Sequence, residues 1–149
     1  LSLSEGKARA IQNVPENAVV IGGDTVVVSP EGTVFGIPKD REDAFSMLRA
    51  LSGRTHRVVT GVTLLQNAHC RRFFVTTEVE FYPLSEEEIL WYLETGEPFD
   101  KAGAYGIQGK GSLLVREIRG DYANVVGLPV AELARNLQSF LNIQKESLA

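Results

Sequence analysis

The sequence is short of cysteine, of histidine and of long apolar runs, and each shortage closes off a class of function. A single cysteine, Cys70, excludes an internal disulfide and makes a reducing compartment the expected home. It lies in a strand-like stretch without an activating context, so we read it as structural rather than nucleophilic. The two histidines, His56 and His69, lack the close His, Cys or Asp spacing of a zinc site. Ser52, in "LSGR", has no triad partners nearby and reads as helix-end structure. No apolar stretch approaches the ~20 residues that span a bilayer, and no basic-then-apolar leader opens the chain. We therefore expect a cytoplasmic protein with no membrane partner. A basic surplus is also missing: the net charge is -4, whereas binding to nucleic acid needs a clustered basic face, so nucleic acid is not expected as a partner.

What is present is ordinary in amount. The 149 residues, 44% apolar and 23% charged, suit one globular domain over 1–149 with a single α/β unit and no repeat, linker or low-complexity tract. The chain opens on Leu1 rather than methionine, inside a helix-like stretch, and we expect a segment upstream of it.

Local patterns predict the elements. "LSLSEGKARAIQNV" reads as a helix end with Leu3, Ala8, Ile11 and Val14 on its apolar side and Pro15 as its stop. "AVVIGGDTVVV" reads as a buried strand broken at Gly22, Gly23 and Asp24, followed by a short hairpin return through "SPEGTVFGIP". Asp40 should cap an amphipathic helix that carries Ala44, Phe45, Met47, Leu48 and Leu51 and ends at Gly53. "THRVVTGVTLLQ" and "RRFFVTTEVEFYPL" predict a long hairpin across "NAHC". Ser85 and Glu88 form a capping-box pair that opens the next helix. "GSLLVREIRG" reads as a strand, "DYANVVGLP" as a loop, and "PVAELARNLQSFL" as a helix with Val130, Leu133, Leu137, Phe140 and Leu141 on one face.

Two stretches invite chemistry. In "GGDT" a carboxylate stands inside an apolar strand, where it is costly to bury unless it binds a metal or is hydrogen-bonded, and the glycines permit close approach of a ligand. Asp24 is thus a candidate metal ligand or general base, with an Asx-turn role as the alternative. In "TGEPFDKAGAYGIQG", Lys101 and Gln108 can donate to a phosphate or a base edge from a glycine-dense loop, and long loops of this kind are more often functional than mere connectors. "GDYANVVGLP" adds Asp121 and Asn124 as a weaker polar cluster.

Taken in order, "IGGDTVV", "LSGRTHRVVTGV", "TTEVEF", "TGEPFDKAGAYGIQG" and "GDYANVVGLP" resemble the signature series of the Maf family, the septum formation inhibitor proteins, from Lys7 nearly to the end of the chain. The resemblance implies an α/β fold like that of inosine triphosphate pyrophosphatases: an elongated mixed sheet flanked by helices, with a cleft between two lobes. It implies a hydrolase that splits a nucleoside triphosphate between its α- and β-phosphates, a divalent ion such as Mg²⁺ or Mn²⁺, and a homodimer. "KAGAYGIQG" is similar to the branch acting on dTTP and UTP. By the same resemblance Asp24 is the catalytic acceptor and metal ligand, Thr25 and Gln108 set specificity, and Lys7 and Lys101 bind substrate.

Two departures accompany the resemblance. The family's Ser-x-Ser-x-Arg-Arg type loop and the glutamate that follows it have no counterpart in these residues, and Ile37 in "FGIPKD" stands where relatives carry a lysine, with Lys39 two positions on. They motivate an alternative, a truncated or catalytically impaired homologue that binds nucleotide or a partner protein without turnover.

Overall fold

Valine-rich, β-branched segments build the centre of the molecule. The structure, a computed structural model, describes residues 1–148. Five strands make one open sheet in the order β2-β1-β3-β4-β5, with β1 at Val20–Val28, β2 at Val34–Phe35, β3 at Thr55–Gln66, β4 at His69–Phe81 and β5 at Val115–Arg119. Helices flank it, so the architecture is α/β. The resemblance implies a mixed sheet; every pairing between the described strands is antiparallel. The cause is local for two of the pairs, since tight turns join only antiparallel neighbours. Gln66 pairs with His69, which leaves a two-residue turn at Asn67, with φ 52°, and Ala68. His69 and exposed Cys70 therefore belong to the strand rather than to the expected polar turn.

Helix α1 spans Ser2–Arg9 and α2 Arg41–Leu51; α3 is Glu86–Glu94. Asp40 caps α2 by accepting from the Asp43 amide at 2.8 Å. Ser85 and Glu88 close a reciprocal box on α3, the Glu88 amide donating to Ser85 Oγ at 3.1 Å and the Ser85 amide to Glu88 Oε2 at 2.6 Å. Leu48 and Leu51 of α2 and Tyr92 and Leu93 of α3 join Val27, Val58, Val79 and Phe81 in the larger core. Burying each such side chain contributes about 1.5–3 kcal/mol. A second core gathers Val62 and Leu64 of β3 with Leu133 and Phe140 of the last helix, which spans Val130–Leu148. β3 runs through both.

Four expectations change. Of the apolar side expected of the first helix only Ala8 is buried: α1 stops at Arg9, Leu3, Ile11 and Val14 are exposed, and Ser4 faces inward beside Ala8. Small residues serve because the helix lies directly on β1. That strand is unbroken, with Asp24 in its middle opposite Gly61. The glycine-dense stretch is a chain of short 3₁₀ turns at Glu97–Asp100, Ala102–Ala104 and Gly109–Leu114, so the strand expected from Gly111 starts only at Val115. "DYANVV" is a one-turn helix, α4 (Tyr122–Val126), capped by Asp121 through the Ala123 amide at 2.9 Å and too short to show a period. We number the last helix α5. Among the described residues no helix is long and apolar enough to cross a membrane.

Candidate functional site

Gly22 decides the first wall of the site. A Cβ at that position would stand 2.1 Å from the Ser4 carbonyl oxygen and 2.9 Å from the Ala8 amide nitrogen, so only glycine lets α1 rest on the strand. We expected the glycine pair to admit a ligand; Gly22 instead admits the helix, and Gly23 alone reaches open space. The close approach sets Lys7 over the strand. Its ammonium bonds Asp24 Oδ1 and also donates to the Gly23 carbonyl at 3.3 Å. The Asp24 side chain is only 22% exposed, whereas that of Lys7 is 59% exposed.

Beside this ion pair opens a cavity of about 380 Å³, and Lys7, Asp24, Thr25, Lys101 and Gln108 all line it. Gly23, Ile37, Asp100, Tyr105, Val126 and Gly127 complete much of the wall. Thr25 Oγ1 is 2.9 Å from Thr60 Oγ1 and donates to the Gly127 carbonyl at 3.3 Å. Whichever of those partners takes its one proton, that proton is directed inside the protein, which leaves Thr25 Oγ1 an acceptor toward the cavity. Lys101 donates to Asp100 Oδ1 at 2.8 Å and to the Glu97 carbonyl at 3.3 Å, and its bond and charge hold the Asp100 carboxyl below the usual carboxylate range. Gln108 is exposed, and among the described residues its amide has no hydrogen-bond partner.

The sequence did not reveal what stiffens these walls. His56 Nε2 and the Tyr105 hydroxyl lie 2.6 Å apart in the larger core, Tyr105 also facing the cavity. Burial pushes His56 down to about 4 and, with a smaller contribution from Tyr92, raises the Tyr105 hydroxyl, so this wall is neutral at ordinary pH. Asn124, fully buried, shares its two amide hydrogens among Val58 O and Val75 O at 3.1 Å each and Thr77 Oγ1 at 3.0 Å, which ties α4 to β3 and β4. Asp121 and Asn124 thus shape the fold, while their neighbours Val125, Val126 and Gly127 line the cavity. Ile37 is 61% exposed on the wall, and Lys39 does not line the cavity. No group of three His, Cys, Asp or Glu side chains among the described residues is arranged to hold a metal. The carboxylates on the cavity are Asp24 and Asp100.

Comparison with known proteins places this geometry among relatives. The chain is 52% identical over 138 residues to a dTTP/UTP pyrophosphatase of Bacillus pumilus (strain SAFR-032), an alignment covering 93% of this chain and 72% of the relative. It is 54% identical over 138 residues, with the same coverage, to the protein of that name from Bacillus velezensis (strain DSM 23117 / BGSC 10A6 / LMG 26770 / FZB42). A third of that name, from Carboxydothermus hydrogenoformans (strain ATCC BAA-161 / DSM 6008 / Z-2901), is 53% identical over 142 residues, covering 94% of this chain and 76% of the relative. The family model described as Maf-like protein matches residues 1–140, and with nearly the whole chain so matched, this protein belongs to that family.

Proposed function

We propose that this chain is a nucleoside triphosphate pyrophosphatase that hydrolyses dTTP and UTP to the nucleoside monophosphate and pyrophosphate, and related modified pyrimidine triphosphates with them. The observation that carries the reading is the single cavity that gathers two ammonium groups, a partly buried carboxylate and two groups suited to a base edge. The names of the relatives support the same substrates. We treat residues 1–149 as one Maf-like unit acting as a homodimer in the cytoplasm.

Phosphoryl transfer asks a protein mainly for positioning and for charge fixed where charge develops. Lys7 and Lys101 bind phosphate oxygens, each ammonium having one donor left beyond the carboxylate and the carbonyl it touches. Lys7 also orients Asp24, whose other oxygen accepts a hydrogen bond from the attacking water and so aligns it. Thr25, its own proton committed inward, accepts from the N3–H that uracil and thymine carry and cytosine lacks. Gln108, with both a donor and an acceptor, meets the same edge. The donor set fits a hard cation, which takes one or two carboxylates and fills its remaining positions with phosphates and water. Asp24 would hold such an ion, Mg²⁺ or Mn²⁺, which when bound neutralises the phosphate oxygens.

The test is product analysis by ion-exchange chromatography after incubation with dTTP, UTP, CTP or 7-methyl-GTP and Mg²⁺. Monophosphate and pyrophosphate from dTTP and UTP are expected, and Asp24→Asn should abolish them while leaving the fold intact. No product from any of the four, or full activity in the Asn variant, would refute the assignment.

A further inference from the structure

The loop that presents Lys101 and Gln108 is tied down by two side chains that do not line the cavity. Tyr92, buried on α3, accepts from the Gly106 amide at 3.1 Å and donates its hydroxyl proton to Glu97 Oε1 at 3.2 Å. The Glu97 carboxylate also accepts from the Lys110 amide through Oε2 at 2.9 Å and from the Gly111 amide through Oε1 at 3.1 Å. Backbone on both sides of Gln108 therefore ends on one pair of side chains. Gly111 comes so near to the other limb that a Cβ there would stand 1.8 Å from the Gly106 carbonyl oxygen and 2.7 Å from the Tyr92 hydroxyl. The segment is a closed loop with Gln108 near its tip. Burial works against the charge of Glu97, yet the Lys110 and Gly111 amides, Tyr92 and the Lys101 charge together keep its carboxyl below the ordinary range.

We propose that Tyr92 and Glu97 act as a clamp that sets where Gln108 stands, which makes both of them positioning residues for choice of base. This rests on the reading of Gln108 as a group that meets the pyrimidine edge. The exposed Gln108 amide makes no bond of its own among the described residues, so its placement is inherited from its backbone, and that backbone is fixed from outside the cavity. The three bonds that the Glu97 carboxylate accepts are charge-assisted and directional, which gives the clamp the stiffness that discrimination requires.

The experiment compares Tyr92→Phe and Glu97→Gln, each alone and in a Gln108→Ala background. Steady-state hydrolysis of UTP and CTP is measured beside calorimetric binding of the non-hydrolysable α,β-methylene analogues of both. Tyr92→Phe keeps the ring in the core and removes only the hydroxyl, so it tests the clamp without unfolding α3. Each clamp variant should lower the preference for UTP over CTP at least about tenfold, chiefly through KM, the scale of effect that small misplacements produce. With Gln108→Ala already present, neither should lower it further. Equal losses on both substrates, a lowered melting temperature with an unchanged ratio, additivity with Gln108→Ala, or a wild type with no preference between the two analogues would each overturn the clamp. Selective binding of the UTP analogue without turnover would defeat the hydrolase reading alone, and the binding ratios of the variants would then decide the clamp.

Discussion

Replacing Gly22 by alanine should separate Lys7 from Asp24 without touching either. The added Cβ would lie 2.1 Å from the Ser4 carbonyl oxygen, about 0.9 Å inside the 3.0 Å limit that real Cβ contacts respect, and 2.9 Å from the Ala8 amide nitrogen. Both neighbours are helix backbone and cannot rotate away, so α1 must lift or β1 must bow. Forcing a methyl into such packing costs about 1–3 kcal/mol, and in a domain of this size each kcal/mol is worth about 2–4 °C in Tm. A shift on the order of 1 Å in a group that positions the reacting centre can cost about 10²-fold in rate. Gly23→Ala is the stability control, because its nearest neighbour would be Leu128 Cδ1 at 4.0 Å. Calorimetric melting together with UTP turnover, in wild type, Gly22→Ala, Lys7→Ala and the double variant, reads out both effects. We expect Gly22→Ala alone of the two glycine variants to melt several degrees early, and its loss of rate to overlap with that of Lys7→Ala rather than add to it. A Gly22→Ala protein with the melting point and rate of the wild type would refute the close-approach argument, and additive losses would refute the route through Lys7.

Two further outcomes follow from the same geometry. Ile37→Lys puts an ammonium on the cavity wall, where an exposed apolar side chain now stands; kcat for UTP should rise several-fold, toward the ~10²-fold attached to one well-placed donor, and an unchanged or lower rate would show that this position does not meet the phosphates. His56 should make the fold acid-sensitive: its pKa is depressed from 6.5 to about 4 by burial, so below 6.5 the unfolded chain binds a proton that the folded one refuses. Stability is full above pH 6.5 and falls as pH drops toward 4, by about 2 kcal/mol between pH 7.5 and 5. Urea unfolding across that range should show the slope, and a His56→Gln variant that retains the whole slope would assign it to other groups.

How much of this was legible in the sequence depended on whether the governing contact was local. The caps of α2 and α3 were readable because Asp40 with Asp43, and Ser85 with Glu88, satisfy amides three residues away. The β3–β4 hairpin was readable because two long β-rich runs flank a short polar turn. The face of α1 was not. Periodicity favoured Leu3, Ala8, Ile11 and Val14, of which only Ala8 is buried, and what the helix buries is set by Gly22, far along the chain, which leaves room for Ser4 and Ala8. The bracing of the loop by Tyr92 and Glu97 was equally hidden, since nothing in "WYLETGEPF" announces that a tyrosine and a glutamate will receive amides from 106, 110 and 111.

Asp24 and Thr25, expected at one site, meet at one cavity from opposite sides of their strand. Consecutive residues on a strand point to opposite faces, and these two obey the rule. Asp24 lies on the side of Gly22, bonded to Lys7 of α1, while Thr25 turns to Thr60 and the Gly127 carbonyl after α4. Both line the same cavity, and β2 pairs with β1 only at Val27 and Val28. On the function proposed above, a phosphate-side carboxylate and a base-side hydroxyl thus come from adjacent positions on the two faces of one strand.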